Sequence, residues 1–239
     1  EGMMVEGFDV DCPMSCYYNP SYYPLCIEKL SYTKEVDWIQ YQIPANQPVP
    51  DKVHRINEMI KNKYDLRVVE GLSAKQMAKR YGAKLFDTIN EAFADLFGYV
   101  PLNEEQKKFY ISQYFPFLDK RLICLVVDNK DEVVAFGVSM PSLSNALRKC
   151  KGRLFPFGWV HLLKALKNFE NIDLYLNGVK PQWQNKGIHS IYYAEMNKQY
   201  IKLGSKMAIA NPQLETNQAV NIWEKYDSRI AIRRRAYIK

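Results

Sequence analysis

A buried strand that leads through a short loop into a helix is the sequence feature that most constrains the fold. Residues 172–179 form an apolar run with the pattern of a buried strand. A helix with apolar side chains at helical spacing follows and stops at Gly204. The first turn of such a helix leaves backbone N–H groups unpaired and carries partial positive charge. The loop between strand and helix is therefore predicted to bind an anion.

The residues of this loop suit a phosphate. Gly187 removes a side chain where a phosphate would need to approach the backbone closely, and Lys180 and Lys186 add positive charge nearby. The alternative is an ordinary strand-to-helix connection that contains a turn glycine.

Strands and helices follow each other from Leu66 onwards. Ser73 and Gln76 have the spacing of a capping box, which predicts a helix start. The best hairpin in the sequence joins strands at 122–127 and 133–140. The predicted order from Leu66 to the end is strand, two helices, hairpin, strand, helix, strand, helix, strand.

This order and the loop resemble the GNAT superfamily of acyl-coenzyme A (acyl-CoA) N-acyltransferases. The family's pyrophosphate loop reads Gln/Arg-x-x-Gly-x-Gly/Ala, and Gln184 matches its first position and Gly187 its fourth. The resemblance covers residues 66–239. It is closest to a poorly characterised bacterial group whose last segment is a basic, tyrosine-containing strand, as residues 233–239 are here.

The resemblance implies an α/β fold with a mixed, mostly antiparallel central sheet, helices on both faces and a splayed strand pair that binds acyl-CoA. It implies a transferase that moves an acyl group, most simply acetyl, from CoA to a small-molecule amine by direct attack, with no metal. The residues expected to bind the cofactor are Asn177, Gly178, Val179, Gln184, Asn185, Lys186, Gly187, Ile188, His189 and Asn217.

Two catalytic residues are predicted from the same resemblance. The family's usual tyrosine, which protonates the departing thiolate, is replaced by Trp223, and an indole cannot lose its proton usefully near neutral pH. Tyr226 lies three residues further along the helix and is the substitute acid, although a core tyrosine would look the same. Glu215 is the predicted base, with stabilisation of a helix N-terminus as the alternative.

Other functions stay open. His189 stands where the family prefers Gly or Ala; with Trp223 it favours a GNAT-like module that binds CoA or a metabolite without turnover. Aminoacyl transfer, which some tandem GNAT-like proteins perform, is a further alternative. Nucleic-acid binding is not expected, because strand alternation sends Arg234 to the opposite face from Arg233 and Arg235.

The N-terminal segment has a separate interpretation. Residues 1–45 read as strand, helix and two-stranded ribbon, and at a shift of 196 positions part of the segment matches the C-terminal end. We therefore predict that they are the tail of an upstream GNAT-like half, packed as a strand and ribbon on the main domain. Residues 46–64 are predicted as a linker and short helix, and residues 65–239 as the GNAT domain.

Composition adds limited information. The net charge of +7 suits an anionic partner. The basic, aromatic residues 142–169 are either a lid over an acceptor or acyl chain with an acidic group, or a solvated basic helix face. No apolar run reaches the ~20 residues that span a bilayer and no signal peptide opens the chain, so a cytoplasmic protein is expected. Cys12, Cys16 and His54 are a weak metal candidate against free structural thiols. The oligomeric state is left open.

Overall fold

The structure is a computed structural model that describes residues 2–217 and 227–239. Its strands, in chain order, are β1 (Met3–Glu6), β2 (Thr33–Pro44), β3 (Arg67–Val68), β4 (Ile123–Val127), β5 (Val133–Pro141), β6 (Asn171–Val179), β7 (Met207–Ala210), β8 (Gln213–Leu214) and β9 (Arg229–Ile238). Its helices are α1 (Tyr22–Lys29), α2 (Asp51–Tyr64), α3 (Ala74–Phe93), α4 (Glu104–Tyr114), α5 (Ser144–Cys150), α6 (Gly158–Ala165) and α7 (His189–Lys202).

Contacts divide the chain into two compact units. The first unit contains Glu1–Asn46, Pro141–Tyr175 and Leu203–Lys239, and the second contains Gln47–Met140 and Leu176–Lys202. The strands form a mixed, mostly antiparallel sheet with helices packed on it, which confirms the predicted fold class.

In the first unit the strand order is β1-β9-β2-β7-β6, with β8 also paired to β2. β6 and β7 run parallel, while the β1–β9, β2–β9, β2–β7 and β2–β8 pairs are antiparallel. A small apolar core joins Met4, Ile209 and Ile232.

The long strand β2 corrects the predicted ribbon. It is one twelve-residue strand that pairs with β9 on one side and with β7 and β8 on the other. Its middle residues, 37–41, are all buried. Because β2 lies inside the sheet, it pairs with other strands on both sides and does not fold back on itself as a two-stranded ribbon. Residues 1–46 consequently share a unit with the C-terminal strand. Their descent from an upstream GNAT-like half stays a prediction.

The second unit is built around the predicted hairpin, which is confirmed as β4 and β5. Both strands are fully buried, and β3 pairs with β4. Helix α3 begins with the predicted capping box, in which the Ser73 side chain accepts from the Gln76 amide. Its apolar stripe packs on the hairpin through Met77, Tyr81, Leu85 and Ile89. The hairpin and α3 therefore form the core of this unit, which also contains the end of β6 and helix α7.

Candidate active site

The predicted phosphate loop lies within the second unit. After β6 the chain makes a short 3₁₀ turn at Pro181–Trp183, and helix α7 begins at His189. Asn185 and Gly187 both adopt positive φ, +58° and +78°. The Gln184 side chain turns back and donates to the Val179 carbonyl at 3.1 Å. The loop is thus a tight connection with its own internal hydrogen bonds.

Several backbone amides of the loop are available to a ligand. The Gln184 amide donates to the Pro181 carbonyl. Over the described part of the chain, no acceptor is found for the amides of Asn185, Lys186, Gly187 or Ile188. Amides of this kind at a helix N-terminus can bind an anionic group.

Gly187 has a packing role that the sequence did not predict. A Cβ atom at this position would come within 2.8 Å of Ile60 Cδ1 on helix α2, and its positive φ disfavours other residues. The absent side chain therefore makes room for Ile60. Whether the same glycine also admits a phosphate stays a prediction.

The two lysines of the loop differ in their surroundings. Lys180 forms an ion pair with Glu91 at 2.9 Å, so its charge is offset within the unit. The Lys186 ammonium lies 4.8 Å from the centre of the Trp183 ring and 5.5 Å from that of Tyr64. No carboxylate partner is found for Lys186 among the residues described. Lys186 is therefore the lysine of this loop that is free to meet an anionic ligand.

The other predicted cofactor residues are placed as follows. Gly178 packs on Phe136, because a Cβ atom there would lie 2.9 Å from the ring. Ile188 is buried, and His189 is half-buried at the first residue of α7. The Asn217 amide donates to the Leu214 carbonyl in the first unit.

In the first unit, the parallel pairing of β6 with β7 ends at an irregularity. The pairing runs from Asn171 to Leu174 on β6. Asn211 then donates its backbone amide to the Leu174 carbonyl at 3.1 Å and its side-chain amide to the Tyr175 carbonyl at 2.7 Å. The pairing of β6 with β7 breaks off here, and the Asn211 side chain replaces a strand partner for the Tyr175 carbonyl.

A buried acid stands two residues before this break. Asp173 is 1% exposed, and among the residues that the structure describes no donor lies in regular hydrogen-bond geometry with either carboxylate oxygen. Burial raises the pKa of Asp173 to about 7; hydrogen bonding by the nearby Ser142 hydroxyl acts to lower it, and the charge of Cys16 acts to raise it further. Near neutral pH this carboxyl group can accept and release a proton.

Sequence reasoning missed Asp173. It sits between Ile172 and Leu174, both buried, within an apolar strand. An acid at such a position is the signal that could have revealed it, since carboxylates are seldom fully buried without a partner.

Glu215, the predicted base, lies in a group of ion pairs within the first unit. It pairs with Arg233 and, at 3.1 Å, with Lys34. The hydrogen bonds from Arg233 and Lys34 lower the pKa of Glu215. A carboxylate held in this way is a weaker base than a free one. The predicted acid Tyr226, like Trp223, lies outside the described residues.

The first unit also contains polar contacts of Asn211 and of Arg234. The Ser15 hydroxyl donates to Asn211 Oδ1 at 2.9 Å. The buried Arg234 donates to Cys12 Sγ at 2.8 Å and to the Gln40 side chain. Interaction with Cys12 lowers the pKa of Cys16 to about 6 against the effect of burial, with further lowering by Arg234. Over the described ranges, no group of three or more His, Cys, Asp or Glu side chains is placed to hold a metal ion.

The architecture is that of the GCN5-related N-acetyltransferases, the GNAT fold. A GCN5-related N-acetyltransferase from Sphaerobacter thermophilus superposes with a TM-score of 0.59 and 12% identity, covering 91% of this chain and 56% of that one. This structural similarity confirms the fold that the sequence resemblance implied. No family model matches the chain.

Two curated proteins are similar in sequence. The bacterial ceramide synthase of Caulobacter vibrioides is 25% identical over 193 residues, which is 77% of this chain and 47% of that protein. Protein YghO of Escherichia coli is 26% identical over 197 residues, 77% of this chain and 46% of that protein. The chain thus spans about half the length of the curated relatives it matches.

Proposed function

We propose that the protein is an acyl-CoA-dependent N-acyltransferase that joins an acyl group to an amine. The observation that carries this proposal is Asp173, a buried carboxyl group without a cationic partner among the described residues, set in a GNAT fold beside the end of the β6–β7 pairing. A structural acid at this depth would be expected to have a partner. A group with a pKa near 7 suits proton transfer at neutral pH.

The reaction requires two proton transfers by the protein. The acceptor amine, with a reference pKa near 10, arrives mostly protonated and must lose a proton before it attacks. We assign this step to Asp173. The nitrogen then bonds to the thioester carbonyl carbon, the carbon–sulfur bond breaks, and the CoA thiolate leaves and takes up a proton, for which Tyr226 stays the predicted donor. The second proton that the nitrogen loses on becoming an amide restores the donor.

The free amides at 185–188 and the Lys186 ammonium are the groups that we assign to the CoA diphosphate. Backbone amides at the start of α7 supply hydrogen bonds, and Lys186 supplies a charge that the described residues do not offset. Acyl-CoA is a substrate in this scheme, and the protein contributes binding and proton transfer.

We further propose a long-chain amine as the acceptor. One relative is a ceramide synthase by name, and a ceramide is an amide between a fatty acyl group and a long-chain amino alcohol. The predicted small-molecule amine is thereby narrowed to one that carries an aliphatic chain.

Amine-dependent thiol release tests the proposed function. The full chain is incubated with acyl-CoA of short, medium and long acyl length, with and without a long-chain amino alcohol or a short water-soluble amine. We expect free CoA to appear only with an amine, together with the amide product detected by mass spectrometry.

A binding module without turnover is the second candidate, and the observation that favours it is Trp223 at the family's tyrosine position. Such a module would retain CoA binding and release no thiol with any amine. Hydrolysis of acyl-CoA that is independent of amine would contradict transfer as the principal reaction.

A further inference from the structure

The connection between β5 and β6, residues 142–169, has an unusual charge. It contains six Lys or Arg residues and no Asp or Glu, while the whole chain carries a net charge of +7. The cations are Arg148, Lys149, Lys151, Arg153, Lys164 and Lys167. Arg148 forms an ion pair with Asp11. We call residues 142–169 the α5–α6 segment, since it contains both helices.

Large apolar side chains of the same segment face outward. Phe155 is 81% exposed and Phe157 is 72% exposed, although aromatic rings are normally largely covered. Three more apolar side chains of the segment are exposed, namely Leu154, Trp159 and Leu163. Clusters of this kind mark an interaction surface, because water is a poor environment for so much adjacent apolar area.

Hydrogen bonds hold this exposed arrangement in place. The Arg153 amide donates to the Cys150 carbonyl at 2.9 Å, and the Trp159 amide donates to the Leu154 carbonyl at 3.0 Å. The Trp159 indole donates to the Pro156 carbonyl at 3.0 Å, and the Cys150 thiol donates to the Gly158 carbonyl at 3.0 Å. The turn between the helices is therefore an ordered structure that presents its rings.

A polar cavity of about 210 Å³ lies beside the same helices. Its lining includes Lys149, His161 and Lys164, with Asn145 and Asn168 as further polar groups. Glu170 also lines the cavity and is paired with Lys206 at 2.8 Å. A cavity of this size and charge suits a phosphate-bearing head group.

We propose that the α5–α6 segment docks the protein on an anionic lipid surface. Its cations would meet the phosphates of the head groups, and its rings and leucines would enter the boundary with the acyl chains. None of the helices in residues 2–217 and 227–239 has the length and hydropathy of a membrane span. A nucleic acid could bind the cations and stack on the aromatic rings, but it has no apolar surface to cover Leu154 and Leu163.

Vesicle co-sedimentation of the full chain tests this proposal. One set of vesicles contains phosphatidylcholine alone, and the other contains phosphatidylcholine with phosphatidylglycerol. We expect binding to the anionic vesicles that weakens with salt. The triple variant Lys149→Gln, Lys151→Gln, Arg153→Gln should bind about a hundredfold more weakly, since each cation near such a surface contributes about fivefold.

The apolar contribution is tested with a matched pair of variants. Phe155→Ser with Phe157→Ser should weaken binding to the anionic vesicles by about tenfold or more. Phe109→Ser with Phe117→Ser, which alters two exposed rings of the second unit, should leave binding unchanged. Circular dichroism confirms that both pairs are folded.

Three results would overturn the proposal. Two of them are failure of the wild-type chain to bind either vesicle and equal binding by the two phenylalanine pairs. The segment would instead be a protein contact if Phe155→Ser with Phe157→Ser dissociated a dimer in sedimentation velocity without changing vesicle binding. Because the measurement needs no acyl transfer, its failure and that of the proposed function are distinguishable.

Discussion

Two buried aspartates of the first unit show how differently the same side chain can be used. Asp37 is held by Arg235 at 2.8 Å and 3.1 Å, by Lys34 at 3.0 Å and by Arg233 at 3.4 Å. Burial acts to raise its pKa, but the hydrogen bonds from Arg235 and Lys34 prevail and bring it to about 2. Asp173, equally buried, has a pKa of about 7.

This difference shows that burial alone does not determine the protonation state of a carboxyl group. With cationic partners, a buried carboxylate is locked in its charged form and stabilises the sheet. Without a cationic partner, the same group is poised between its charged and neutral forms, which costs stability and is useful for chemistry. We therefore interpret Asp37 as structural and Asp173 as the reactive group.

The largest expected effect is on activity, and it compares Asp173 with Glu215. Asp173→Asn should lower the rate of amine-dependent thiol release by about 10²–10⁴-fold, the usual contribution of a general base. Glu215→Gln is the matched comparison, because Glu215 is the base that the sequence predicted. Its rate should stay within about tenfold of the wild type. The reverse order of the two effects would assign the base to Glu215.

Stability against pH provides the second test. The folded-state pKa of Asp173, about 7, lies above its reference value of 3.8. The contribution of protonated Asp173 to the free energy of unfolding is therefore fully present below the unfolded pKa of 3.8. It is lost as the pH rises through about 7. Asp173→Asn should raise the free energy of unfolding by up to about 4 kcal/mol at about pH 8 and by less at about pH 5. Urea unfolding at both pH values measures this, and an equal effect at the two would contradict the unpaired state of Asp173.

Asp37 should behave in the opposite way. Its folded-state pKa is depressed from 3.8 to about 2, so its contribution is present above 3.8 and is lost as the pH falls through about 2. Asp37→Asn should therefore lower the free energy of unfolding by about 2 kcal/mol at neutral pH. The same urea experiments measure the loss, which should shrink in strong acid. Unchanged stability at neutral pH would show that the cluster is not structural.

The two lysines of the loop also differ in whether an ion pair holds them, and the expected effect is smaller. Lys180 is paired with Glu91, whereas Lys186 lies over two rings. Lys186→Ala should weaken CoA binding by about tenfold, as expected for one charged contact to a phosphate. Lys79→Ala, at another exposed lysine of the second unit, is the control and should bind CoA like the wild type. Equal affinities for the two variants, measured by calorimetry, would remove Lys186 from the site.

Sequence patterns predicted the parts of the fold that local chemistry determines. The capping box at Ser73 and the hairpin of β4 and β5 depend on neighbouring residues, and both are confirmed. The apolar stripe that predicted a helix after Gly187 is also found, with α7 beginning two residues later.

The features that sequence missed depend on distant pairing. Thr33 and Ile238 are partners in the sheet, yet nothing near β2 indicates that it pairs with the last strand of the chain. Asp173 and Asp37 look similar in sequence, since each lies beside apolar residues within a strand. Lys34 is a local partner of Asp37, but Arg235, which makes the shortest contact with it, lies almost two hundred residues away.

Calorimetric titration of the full chain with CoA tests the central claim most directly, because every proposed step requires that ligand. We predict one binding site with a dissociation constant between about 1 μM and 1 mM, the range typical of enzyme substrates. Binding should be weakened in Lys186→Ala and retained in Asp173→Asn. Absence of binding up to about 1 mM CoA, by a chain shown to be folded, would contradict the account.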